Sequence, residues 1–145
     1  MCSKRGIFVL AMKKYGLQSA EYIKCLFIDY LLSRSKELII GNELMYGIKR
    51  KVVDLVVLQN KKIIAVEIKS DSDNLSRLEE QISEYKKIFD YVLIITTEKH
   101  ASRISEIVPS EIGIYVFKEN LLMKKFRNPR IQRSKDKVEM LYSIN

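Results

Sequence analysis

The chain has 145 residues, a formal net charge of +8 from 26 Lys or Arg against 18 Asp or Glu, and 47% hydrophobic residues. That length fits one domain with one solid core, and no apolar run approaches the ~18 residues of a membrane span. The two cysteines, Cys2 and Cys25, make no disulfide framework, so a reducing, cytoplasmic setting is expected. The sign of the charge favours polyanions, nucleic acid before anionic membrane.

Lys4 and Arg5 precede the apolar "GIFVLAM", a faint likeness to an export signal. The run is short, Lys13 and Lys14 follow it, and no small-residue cleavage site closes it, so export is not expected. A helix is predicted from about Leu17 to Arg34. One apolar stripe is Ile23, Leu26, Phe27, Tyr30 and Leu31; a second is Leu17, Cys25, Ile28 and Leu32. A helix apolar on two sides is packed on two sides. Glu21 falls inside the second stripe, where a carboxylate needs a partner or a purpose.

Three strand-like runs follow, about Leu38 to Tyr46, Lys51 to Leu58 and Lys62 to Lys69, rich in Val and Ile and separated by "GIKR" and "QNKK". "DNLSRLEEQISEYKKIFD" then sets Leu75, Leu78, Ile82, Tyr85 and Phe89 on one helical face. Asp73 or Ser76 is placed to cap it, and Ser76 with Glu79 has capping-box spacing. "YVLIITT" (Tyr91 to Thr97) reads as a buried strand, "EKHASRISEIVP" as a helix stopped at Pro109, and "IGIYVF" (Ile112 to Phe117) as another strand. The predicted architecture is a mixed α/β domain with a sheet covered on both faces. A helical crossover from the third strand to the fourth implies parallel pairing there. From Lys124 to Lys137 the chain holds seven Lys or Arg and one Asp. The division expected is a folded domain over 1–123 and a basic tail over 124–145, either a solvated, partly disordered end or a set of phosphate contacts.

The run "KVVDLVVLQNKKIIAVEIKS" raises a question of charge, because Asp54, Glu67 and Lys69 interrupt an aliphatic strand pair. If Asn60-Lys61 is a two-residue hairpin loop, Gln59 faces Lys62 and Asp54 directly opposes Glu67, with Cβ atoms ~4.5–5.5 Å apart. Lys69, two residues on, points to the same face. Opposed carboxylates repel and are costly to desolvate. One can stay protonated, Lys69 can bridge them, or a divalent cation can sit between them; oxygen ligands with room left for water suit Mg²⁺ or Mn²⁺. The plain alternative is an ordinary salt bridge at a sheet edge. Lys49, Arg50 and Lys51 lie just before Asp54, either as a solvated turn or in reach of phosphates. Glu43 could approach from the first strand. His100, the only histidine, excludes two-histidine metal sites and reads as a surface or helix-start residue.

Asp54, "EIK" at Glu67–Lys69 on the next strand, "QISEY" at Gln81–Tyr85 on the following helix, and Glu21 on the first helix together form a pattern. It resembles the PD-(D/E)XK nuclease superfamily, in its RecB-like or Holliday-junction-resolvase-like branch and a small bacterial and phage-encoded family there. The resemblance implies a restriction-endonuclease-like fold: an αβββαβ core with a central mixed sheet, flanking helices, and an extra C-terminal helix and strand. It implies a metal held by Asp54, Glu67, the Ile68 carbonyl and, directly or through water, Glu21. Lys69 would position the attacking water, and Gln81 and Tyr85 would line the site and contact the substrate backbone. The implied reaction is metal-assisted hydrolysis of DNA phosphodiesters with Mg²⁺ or Mn²⁺. Val53 stands where the pattern has proline. The rivals are a DNA-binding module that keeps the fold without cleaving, and an interaction subunit that works as a homodimer; no membrane partner is expected.

Overall fold

The structure, a computed structural model, describes residues 16–143. The N-terminal run with Lys4, Arg5, Lys13 and Lys14, and Cys2, lie outside the described residues.

A 3-10 turn, Gly16–Gln18, leads into α1 (Ala20–Arg34), where the Ser19 hydroxyl accepts from the Tyr22 N–H and caps the helix. Three strands follow, β1 (Ile39–Tyr46), β2 (Lys51–Gln59) and β3 (Lys62–Ile68), as an antiparallel meander. Helix α2 (Leu78–Lys86) crosses to β4 (Tyr91–Thr97), and α3 (Glu98–Ile107) crosses to β5 (Gly113–Phe117). Both crossovers give parallel pairs, β3 with β4 and β4 with β5, as helical connections between neighbouring strands require. Antiparallel β6 (Met123–Arg127) and helix α4 (Lys137–Tyr142) complete a six-stranded mixed sheet in the order β1-β2-β3-β4-β5-β6.

The β2–β3 loop turns as the hairpin register requires. Asn60 and Lys61 have φ of 51° and 60°, the left-handed pair of a type I′ turn that matches strand twist. Pairing then runs from Gln59 opposite Lys62 to Leu55 opposite Val66. Core packing divides by face. Val66 and Ile68 join Ile23, Phe27, Leu55 and Leu93 beneath α1, whereas Ala65 joins Ile82, Tyr85, Ile94 and Ile104 beneath α2 and α3. Every residue of β4 but Tyr91 is buried, as its continuous apolar run predicts.

Three expectations need correction. Helix α1 is not packed on two opposite sides: Leu17, Leu26, Ile28, Tyr30 and Leu31 all lean on the cluster that holds Ile23 and Phe27, and Cys25 is half-buried. Of the second stripe only Leu17 and Ile28 reach that cluster, and Glu21 lies on the outside with 56% of its side chain exposed. At α2, Asp73 and Ser76 do not cap the helix. The Asp73 carboxylate instead accepts from the Ser70 N–H and hydroxyl, and Ser76 bonds Asn74, because short polar side chains compete for the nearest backbone groups. The basic segment is built into the fold. Lys124 and Lys125 pair with Val116 and Tyr115, Arg127 donates to the Ile112 and Pro109 carbonyls, and Lys135 bonds the Asp90 carboxylate. Among the described residues no helix is long and apolar enough to cross a membrane.

Candidate functional site

The parallel strands β3 and β4 end side by side, and in open α/β sheets ligand crevices lie outside such carboxyl ends. The β2–β3 ladder stops at Leu55 and Val66. Where the next pair would form, the Asp54 carboxylate accepts the Ile68 N–H at 2.8 Å. Lys69, just beyond β3, is pinned to β4 by its N–H on the Ile95 carbonyl (2.9 Å) and by the Thr96 hydroxyl on its own carbonyl (2.9 Å).

Glu67, 3% exposed, reaches toward α2 on the Ala65 face. Gln81 Nε2 donates to its Oε1 at 2.9 Å, and the Tyr85 hydroxyl donates to its Oε2. Lys69 Nζ lies 3.1 Å from the same Oε1 and donates to Gln81 Oε1 at 3.1 Å. Gln81 and Tyr85, four apart on α2, share the face that meets β3. The Tyr85 ring is locked from behind, 5.4 Å from Tyr46 and 6.0 Å from Phe89. Glu67, Lys69, Gln81 and Tyr85 thus form one bonded cluster, with Asp54 in electrostatic reach of Glu67 and Lys69.

Electrostatics follow from burial and proximity. Burial pushes the Glu67 carboxyl above its ordinary range, and the charge of Asp54 pushes it further, against the pull of Lys69 and the Tyr85 hydrogen bond. Burial also raises Asp54, opposed by the Ile68 N–H and by the charges of Lys24 and Lys69. The two carboxylates therefore feel each other's charge. The Tyr85 phenol is held protonated, first by burial and then by Glu67.

Lys24 is a feature that the sequence pattern did not bring out. It is 5% exposed, and its Nζ reaches Asn42 Oδ1 (3.0 Å), Glu43 Oε1 (3.3 Å) and Glu21 Oε1 (3.3 Å). Glu43 has φ of 52° and interrupts the β1–β2 ladder between the pairs Asn42–Leu55 and Leu44–Val53, opposite Asp54. Its approach from β1 therefore ends on Lys24. The signal in the sequence is a lysine flanked by Ile23 and Cys25 on an apolar helix, three residues from Glu21.

Glu21 is not gathered with Asp54 and Glu67. Among the described residues no group of three or more His, Cys, Asp or Glu is placed to hold a metal ion. Ile68 meets Asp54 through its N–H. Lys49 and Arg50 lie in the β1–β2 turn, at the same end of the sheet, beyond the start of β2, which is about 10 Å from Asp54 along the strand. That turn is held by α4: Ile48 N–H donates to Glu139 Oε2 at 2.9 Å and Gly47 N–H to Ser143 Oγ at 2.8 Å. His100 belongs to α3 and takes no part. The donor chemistry fits a small hard cation. Asp54 and Glu67 supply oxygen only, and Mg²⁺ is commonly held by one or two carboxylates with several waters kept.

Fold and cluster together define a mixed α/β protein with an acid–lysine site at the carboxyl end of its parallel strands. The family model for bacteriophage P4 protein cII matches residues 13–145, and the chain belongs to that family. A curated relative, Protein cII of Enterobacteria phage P4, is 31% identical over 107 residues, which are 72% of this chain and 40% of that protein. The chain thus spans about 40% of that relative's length. The SPO1766 protein of unknown function from Silicibacter pomeroyi has a similar fold, with a TM-score of 0.52 at 18% identity over 77% of this chain and 75% of the other. Membership of the P4 cII family corrects the resemblance to the PD-(D/E)XK superfamily; no nuclease family is among these findings. Four short, dispersed motifs carried that resemblance. Hairpin register and i, i+4 spacing, which many α/β sheets provide, are enough to assemble them.

Proposed function

We propose that the chain hydrolyses DNA phosphodiester bonds with Mg²⁺ or Mn²⁺, held by Asp54 and Glu67. The observation that carries this reading is the pair itself: two carboxylates raised by burial, Glu67 further by the charge of Asp54, with Lys69 Nζ 3.1 Å from Glu67. A divalent ion bound there would polarise a phosphate oxygen and acidify a bound water. The residues of the chain do the rest. The Lys69 ammonium holds the oxygen of the attacking water or donates to the phosphate. Gln81 fixes the angle of the Glu67 carboxylate and the position of the ammonium together. The Tyr85 hydroxyl favours the ionised form of Glu67. Lys49 and Arg50 are the candidates for contact with the strand's phosphates, and the net charge of +8 favours a polyanionic substrate. Glu21 is engaged by Lys24, so Asp54 and Glu67 are the side chains that would hold the ion.

A second reading has its own support. Both oxygens of Glu67 already carry protein donors, as in a module that binds nucleic acid without cutting it. An assay on linear, branched and single-stranded DNA, and on RNA, with Mg²⁺, Mn²⁺ or EDTA separates the two. Cleavage that needs metal and is lost in Asp54→Asn supports hydrolysis; salt-sensitive binding unchanged by EDTA, with every substrate intact, supports the binding module.

A further inference from the structure

A second concavity lies at the opposite end of the sheet and shares no residue with the carboxylate cluster. It is a cavity of about 200 Å³ between the last turns of α1 and strands β2 to β6. Phe27, Leu31, Val57 and Leu93 make its apolar wall, and Arg34 and Lys125 stand at its mouth. Each cation lies over an aromatic ring: the Arg34 guanidinium is 4.5 Å from the Tyr30 centroid and Lys125 Nζ is 5.4 Å from that of Tyr115. Stacking of this kind holds a cation in place and leaves its charge uncompensated. No carboxylate among the described residues forms an ion pair with either. The wall removes apolar surface from water, and the lining adds two positive charges, both acting on Tyr115.

We propose that this cavity binds a small amphipathic anion, an aromatic phosphate monoester, with its ring inside and its dianionic head between Arg34 and Lys125. Size and charge set the class. An apolar cavity of ~150 Å³ accepts benzene, whereas drug-sized ligands occupy ~300–1,000 Å³, so the space takes one ring system. The Arg34 fork suits phosphate oxygens, and two cations match two negative charges. The site is independent of the hydrolytic reading, because it uses none of the same side chains.

The test is calorimetric titration of the full chain with 1-naphthyl phosphate in EDTA, alongside 1-naphthol and inorganic phosphate. The phosphate ester should bind at least about tenfold more tightly than either fragment, the factor expected of one charge-assisted hydrogen bond. Arg34→Gln with Lys125→Gln should weaken it by a similar factor and leave naphthol unchanged. Leu31→Trp, which fills the cavity, should abolish binding, and Asp54→Asn should not alter it. Circular dichroism establishes that each variant is folded. The proposal is overturned if 1-naphthyl phosphate binds the wild type no better than naphthol does, or binds the double charge variant equally well.

Discussion

Asp54 and Glu67 place two acidic groups at one fork of a strand pair, and their protonation is coupled to folding. Both carboxyls sit above their ordinary values of 3.8 and 4.5, chiefly through burial. In the window between unfolded and folded values the native state binds more protons than the unfolded chain. Stability contributed by these groups is therefore full at low pH and lost as pH rises through the raised folded values. Removing one charge should reverse that loss. Asp54→Asn keeps an acceptor for the Ile68 N–H and should stabilise the metal-free protein by about 0.5–1 kcal/mol at pH 7, the scale of like charges opposed across strands. The gain should shrink as pH falls through the raised folded value of Asp54, where its carboxyl takes up a proton in the native state. Urea unfolding of wild type and variant from pH 4 to 8 measures this, and a gain that grows toward acid would contradict it. Lys69→Ala, by contrast, should leave Mg²⁺ or Mn²⁺ affinity equal or slightly higher on calorimetry, because a neighbouring positive charge is gone, and should abolish cleavage. A salt bridge that only holds the sheet predicts lower stability for Lys69→Ala and no response to metal.

At the scale of elements, the β2–β3 hairpin was the most legible part of the sequence. A two-residue loop fixes register by simple counting, and the pattern from Gln59–Lys62 to Leu55–Val66 is the one that counting gives. The loop is also improvable. Lys61 holds φ of 60°, which costs a residue with a Cβ roughly 1–2 kcal/mol. Lys61→Gly creates Asn-Gly, the preferred type I′ pair, and should raise stability by about 1 kcal/mol in urea without moving the site; an unchanged midpoint would contradict that explanation of the turn. Helix α2 was legible through its apolar spacing, and its face toward Glu67 follows from that spacing. Lys24 was not legible, because its partners Asn42 and Glu43 come from a different element, 18 and 19 residues away. Nor was the role of α4. Glu139 and Ser143 clamp the turn that carries Lys49 and Arg50 across separations of 91 and 96 residues, which no local pattern encodes. Truncation after Lys135 should lower the thermal midpoint and increase amide exchange at Gly47 and Ile48; protection unchanged at both amides would show that α4 does not hold the turn.

For the whole molecule, charge is the property that bears on function before any single contact. The basic stretch from Lys124 is not a detachable tail, since Arg127, Arg130 and Lys135 are engaged by carbonyls, Ser110 and Asp90. Lys124 and Arg133 remain exposed and are the better candidates for phosphate contact. Lys124→Gln with Arg133→Gln should flatten the slope of log affinity against log salt on duplex DNA, by roughly 0.9 for each phosphate that is no longer neutralised. Fluorescence anisotropy reads the slope, and an unchanged value would place the DNA surface elsewhere. The overall α/β architecture was readable from the alternation of strand and helix patterns. The family was not, because a site motif assembled from a hairpin and one helix face is common to sheets of different descent, whereas the P4 cII match rests on residues 13–145 as a whole.

The central claim is that Asp54, Glu67 and Lys69 form a metal-dependent hydrolytic site. Its most direct test is cleavage of a panel of DNA forms by the full chain with Mg²⁺ or Mn²⁺, run beside Lys69→Ala and Asp54→Asn. The expected result is cutting of at least one form by wild type, none in EDTA, and none by either folded variant. Intact DNA of every form with wild-type protein and either metal, or cutting that persists in Lys69→Ala, would contradict it.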